Sequence, residues 1–184
     1  MLLGYLSLLD GGKTAQAQFD ASTNMTEQFT SFLCLLRIDK GTQAVDAFYT
    51  QWQHDRLVID KWFGVQIGAA SPQRAVEIAD ALTKHPDFAV TNPNRFRATL
   101  GALAGNHAGF HVKSGAGYKL LADWLITLDA INPQTTARMS AAFQTWTRYD
   151  ADRQMLIKAQ LERILATPNL SADTTEMVGR ILNG

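Results

Sequence analysis

The sequence predicts an all-α protein, and three observations predict it. Apolar residues recur at helical spacing along almost the whole chain. No stretch shows the sustained alternation with β-branched residues that marks a strand. Breakers at Asp10-Gly11-Gly12, Asp39-Lys40-Gly41, Ser71-Pro72, His85-Pro86, Asn92-Pro93, Ser114-Gly115, Asn132-Pro133 and Thr167-Pro168 cut the chain into segments of ordinary helix length.

The first segment, residues 2–9, is apolar but lacks a basic flank and is too short to span a bilayer, so it reads as neither a signal peptide nor an anchor. Leu2, Leu6 and Leu9 share one face, and no capping residue precedes them, as if the chain began inside a helix. Helices are expected next at 13–21 and 25–37. The helix at 41–54 carries Val45, Phe48, Tyr49 and Trp52 on one stripe, and that at 56–69 carries Ile59, Trp62, Phe63 and Ile67.

Three later starts use one device. Ser71-Pro72, Asn92-Pro93 and Asn132-Pro133 each offer a side-chain oxygen for orphan amides and a proline with preset φ, opening helices at 72–84, 93–105 and 133–148. Residues 116–131 carry Leu120, Leu121, Trp124 and Leu128, and 133–148 carry Met139, Phe143 and Trp146. Asp150 is placed to cap a helix at 151–166, with Asp152 complementing its dipole, and 172–182 forms the last helix. All four tryptophans lie on apolar stripes, which favours core packing over an aromatic binding box. Short connections favour antiparallel neighbours, compatible with a curved two-layer solenoid or a globular bundle; no internal repeat separates the two.

The 184 residues allow one domain with a sizeable core. Seventeen basic residues balance seventeen acidic ones, so no global field would attract nucleic acid or an anionic membrane. The single cysteine, Cys34, lies in the apolar run 32–36, which excludes an internal disulfide and fits a buried hydrophobe in a reducing compartment. A cytoplasmic location is the expectation.

Motifs with possible chemistry are few. His107 and His111 have the spacing of two zinc ligands on a helix, but Ala108 stands where a zincin needs its general base, a third ligand is missing, and Gly105, Gly109, Gly115 and Gly117 favour a loop. Gly115-Ala116-Gly117-Tyr118 lacks the lysine and hydroxyl of a phosphate loop and reads as a turn into a helix. The run 148–153 mixes charges and reads as a solvated, partly paired surface.

Six segments, in this order and spacing, carry a resemblance: Asn24-Met25-Thr26, Leu57-Val58-Ile59-Asp60-Lys61-Trp62-Phe63, Thr91-Asn92-Pro93-Asn94-Arg95-Phe96-Arg97, Phe110-His111 with Gly115-Ala116-Gly117-Tyr118, Asn132-Pro133-Gln134, and Arg148-Tyr149-Asp150-Ala151. Over nearly its whole length the chain resembles the C-terminal helical domain of bacterial aminopeptidase N, of the M1 zinc metallopeptidase family. That resemblance implies HEAT-like or armadillo-like helix pairs stacked into a superhelical solenoid over a catalytic domain of the same polypeptide. It also implies a parent that uses zinc to remove N-terminal residues from peptides, with the zinc motif outside this chain. The chain itself is then expected to hold no catalytic residue, metal or cofactor, and its partners to be the catalytic domain and peptide substrate.

Within that reading Arg97 and Arg138 are the candidate substrate-chamber residues. Arg97 and Arg95 are two positions apart and face nearly opposite ways. Arg97 shares its side with Gly101, Ala104 and Gly105, while Arg138 sits beside Ala141, Ala142 and Thr145. Pairing to nearby carboxylates or helix carbonyls is the plain alternative. At the level of the whole chain, the alternative is a free-standing helical-repeat module that binds a protein or peptide on its concave face.

Overall fold

The computed structural model describes residues 2–184, and among these every regular element is helical. Six helices come first: α1 (Leu2–Asp10), α2 (Lys13–Ala21), α3 (Met25–Arg37), α4 (Thr42–Trp52), α5 (Arg56–Ala69) and α6 (Ala75–Thr83). A composite helix follows, in which α7 (Pro93–Phe96) runs through a π turn (Arg97–Gly101) into α8 (Ala102–Gly105). The short α9 (His107–Phe110) leads to α10 (Ala116–Asp129), α11 (Pro133–Ser140), α12 (Ala151–Leu165) and α13 (Ala172–Asn183).

Most helices adjacent in sequence pack together, and so do several alternate ones: α1 on α3, α3 on α5, α10 on α12 and α11 on α13. Contact between alternate helices is what stacked layers produce, and the chain is an armadillo-like solenoid. Phe32 and Phe48 stack at 5.0 Å in the first layers, and Phe110 meets Tyr118 edge-on at 5.2 Å in the later ones. Trp62 is buried, while Trp52, Trp124 and Trp146 are partly buried against the core. Three indole N–H groups donate inward: Trp52 to Gln28 Oε1, Trp62 to the Val45 carbonyl and Trp146 to the Ile181 carbonyl. The tryptophans are core residues.

Asn92 accepts from the amides of Asn94 and Arg95, Asn132 from Thr135, and Asp150 from Arg153, as the cap-plus-proline and aspartate signals predict. Ser71 departs from the expectation. Its backbone carbonyl, not its hydroxyl, accepts from Arg74 and Ala75, so Ser71-Pro72 closes a turn and α6 starts only at Ala75. The helix expected at 133–148 ends at Ser140 and continues as 3₁₀ turns at Ala141–Phe143 and Trp146–Arg148. The hydroxyls of Thr136 and Ser140 bond back to carbonyls four residues earlier, an arrangement that weakens and bends a helix. The loop expected around His107 is instead the helical turn α9, which Asn106 caps through the Gly109 amide.

Two glycine positions show why the layers fit. A β-carbon on Gly64 of α5 would lie 3.2 Å from the Ala98 carbonyl oxygen, so α5 and the π turn approach through bare backbone. One on Gly117 would lie 2.5 Å from the Phe110 carbonyl oxygen. The pair Gly115 and Gly117 therefore serves packing: Gly115 takes φ 70° at the start of α10, and Gly117 lets that helix rest on α9.

Candidate functional site

Residues from four of the six segments that carried the resemblance converge on two internal polar clusters. The first is centred on Arg95, which is only 4% exposed. Asn92 and Pro93 set the start of α7, and that start aims Arg95 inward. Its Nε donates to Asp60 Oδ1 at 2.6 Å and its Nη1 to the Asp87 carbonyl at 2.6 Å, while the guanidinium lies 4.6 Å from the Phe63 ring centre. Asp87 in turn accepts from the Tyr49 hydroxyl, which holds that phenol above its ordinary pKa. His85 lies edge-on to Tyr49 and Phe63, and its burial keeps it below the usual histidine range.

The second cluster surrounds His111. Its Nδ1 is 2.8 Å from the Tyr118 hydroxyl and its Nε2 is 2.8 Å from that of Tyr149, whose ring stacks on it at 4.0 Å. Arg153 Nε donates to the His111 carbonyl and its Nη1 pairs with Asp150. Burial, with smaller contributions from His107 and Arg153, holds His111 at a pKa of about 4. Burial also pushes Tyr118 up to about 12. The run 148–153 is thus more than solvated surface, since Tyr149 and Arg153 secure the His111 turn. His107 and His111 do form a parallel pair, with ring centres 6.3 Å apart, but both His111 nitrogens are committed to tyrosines. The pair does not fit a zinc site. Among the described residues no group of three or more His, Cys, Asp or Glu is placed to hold a metal.

A third polar knot is structural. The carboxylate of Asp129 accepts from the Ser171 amide and hydroxyl and from the Thr174 hydroxyl, tying α10 to the start of α13. Burial raises its pKa, but these bonds outweigh that and leave it below the ordinary value.

The two predicted arginines lie outside all three clusters, both exposed. Arg97 opens the π turn and, as expected, points away from Arg95. Its Nε donates to the Pro93 carbonyl, the helix-carbonyl pairing given above as the plain alternative, and its Nη2 to Asn94 Oδ1 at 2.6 Å; it makes no ion pair among the described residues. Arg138, in the last turn of α11, makes no ion pair among the described residues. A β-carbon on Gly101 would lie 3.6 Å from Met139 Cε, so the side chain next to Arg138 in sequence reaches the π turn that Arg97 opens. Sequence reasoning passed over Arg95, Asp60, Tyr118 and Tyr149 as site members. Each stood in a quoted segment, yet nothing local shows which segments meet.

α1 is the most apolar exposed element. Leu2, Tyr5, Leu8 and Leu9 are each more than three-fifths exposed. No helix among the described residues is long and apolar enough to cross a membrane.

Comparison with known proteins matches residues 1–183 to a family described as a domain of unknown function, DUF3458_C, with ARM repeats. The chain is 42% identical over 89% of its length to aminopeptidase N of Caulobacter vibrioides and 37% identical over 98% to that of Haemophilus influenzae. Aminopeptidase N of Escherichia coli K12 is 35% identical over 90% of the chain. The chain spans only about a fifth of these relatives, 19%, 21% and 19% respectively. A solved structure, Legionella pneumophila aminopeptidase A in complex with aspartic acid, superposes with a TM-score of 0.91 at 32% identity, covering 98% of this chain and 22% of that one. The chain belongs to this ARM-repeat family, a C-terminal domain of aminopeptidase N.

Proposed function

We propose that the chain is the single, non-catalytic C-terminal helical domain of a zinc-dependent M1 aminopeptidase that removes N-terminal residues from peptides, and that it encloses the active-site chamber and restricts or orients the peptides that enter. The observation that carries this reading is the pair Arg97 and Arg138. Both residues are exposed, and both lack a carboxylate partner among the described residues. Exposed cations without counterions suit the backbone or terminal carboxylate of a peptide. The apolar face of α1 supports a home in a larger polypeptide, because an exposed apolar stripe of this size marks a contact surface. The chemistry itself, with its zinc, belongs in this reading to residues outside the chain.

Arg97→Ala and Arg138→Ala in the full-length enzyme test it. A hydrogen bond to a charged group is worth about 1.5 to 3 kcal/mol, so KM for an oligopeptide should rise roughly tenfold to a hundredfold. Turnover of a single-residue anilide, too short to reach the chamber wall, should hold steady. Equal losses on both substrates would assign the arginines a structural role, and no loss on either would remove them from the chamber.

A further inference from the structure

A cavity of about 140 Å³ beside Arg95 is left without a role by the reading above. It lies between the end of α4, the start of α5 and the segment leading into α7, and Arg56, Ile59, Asp87, Ala89, Asn92 and Arg95 are on its wall. Arg95 is the informative member. Its side chain is 5% exposed, and Nε and Nη1 are committed to Asp60 and the Asp87 carbonyl. Its Nη2 makes no hydrogen bond among the described residues, yet it is not sealed from solvent. A guanidinium this enclosed keeps an open donor only toward the space it lines.

Further groups face the same space with capacity to spare. Arg56 is exposed and has no ion pair among the described residues. Asn92 has spent its Oδ1 on capping α7, which leaves its NH₂ as a donor. Asp87 uses Oδ2 to accept from Tyr49, and its Oδ1 has no partner among the described residues. Because Asp60 already neutralises Arg95, the unbalanced charges are one cation, Arg56, and one anion, Asp87. A simple anion would meet Asp87, and a simple cation would meet the guanidiniums. A molecule that carries both charges satisfies both ends. The volume is about that of four or five waters at roughly 30 Å³ each, the size of a compact molecule, and Ile59 and Ala89 supply an apolar wall for a short aliphatic group.

We propose that this cavity binds a free α-amino acid with a small side chain, its carboxylate on Arg95 Nη2 and Arg56 and its ammonium on Asp87. The site stands on the cavity alone; only the source of the ligand, the residue an aminopeptidase releases, rests on the function proposed above.

The test is a titration of the isotope-labelled chain with alanine, acetate and methylammonium, followed through the amide resonances of 53–59 and 87–95. A ligand of six heavy atoms supports an affinity on the order of millimolar. Alanine should give saturable shifts confined to the lining residues, while acetate and methylammonium should each bind about tenfold more weakly or worse. Arg56→Gln, at an exposed position outside the Asp60 network, should weaken alanine about tenfold with the unfolding midpoint preserved, and Asp87→Asn should weaken it by a similar factor. Absence of saturable shifts, unchanged affinity in both variants, or acetate binding as tightly as alanine would each overturn the proposal. Because this readout is binding to the chain and that of Arg97 and Arg138 is peptide KM, either reading can fail while the other survives.

Discussion

Arg95 and Asp60, 35 residues apart, form a nearly buried ion pair at 2.6 Å that joins α7 to α5. Removing one member of such a pair strands the other charge, whereas a surface pair is worth little. Arg95→Ala or Asp60→Ala should therefore cost about 3 to 5 kcal/mol in urea unfolding. The double variant should lose less than the sum of the singles, because the second substitution removes a charge already stranded. Removal of the exposed Arg74–Asp39 pair should cost well under about 1 kcal/mol.

Glycines 117 and 179 make a contrasting pair. Gly117→Ala places a methyl 2.5 Å from a backbone oxygen that has no flexible end to yield, so about 2 kcal/mol or more should be lost as α9 and α10 separate. Gly179 lies inside α13 with open space around it, and Gly179→Ala should gain up to about 1 kcal/mol from helix propensity. Thermal unfolding of both variants decides this, and equal effects would remove the close-approach explanation of Gly117.

Acid should begin to weaken the fold at about pH 6.5, where unfolded histidine starts to take up protons. Unfolded, His111 takes up its proton near 6.5, but folded it does so only at about 4. Between those values the unfolded chain binds more protons, so the contribution of neutral His111 is present in full above about pH 6.5 and is lost as pH falls towards 4. His85, also lowered by burial, adds slope of the same sign. Asp129, lowered by its bonds to Ser171 and Thr174, contributes stability that disappears only as pH falls below its ordinary value. Denaturant midpoints at a series of pH values should show the upper slope reduced in His111→Gln, and an unaltered slope would place the acid sensitivity elsewhere.

The exposed leucines of α1 should drive self-association of the isolated chain. Leu8 is 71% exposed and Leu9 84% exposed, and the chain carries no net charge to oppose contact. Sedimentation velocity should show concentration-dependent association that Leu8→Lys with Leu9→Lys suppresses. A monomer at every concentration would remove the sticky-face assignment.

The sequence by itself determined that the chain is helical, where most helices begin, and which stripes face the core, because periodicity, Asn-Pro caps and breakers act within a few residues of their own positions. It also carried the resemblance that fixed the family. Departures came over short range: the Ser71 carbonyl displaced the expected hydroxyl cap, and the helix opened at Pro133 gave way to 3₁₀ turns after Ser140. Only the tertiary structure decided that Asp60 meets Arg95, that His111 gathers Tyr118 and Tyr149, and that Gly117 accepts the Phe110 backbone. Helical phase assigns a residue to a face, but which faces meet, across seven residues at Gly117 or across 35 and more at Asp60 and Arg95, depends on the angle and spacing at which the helices pack. That angle is set by the shapes of many side chains at once.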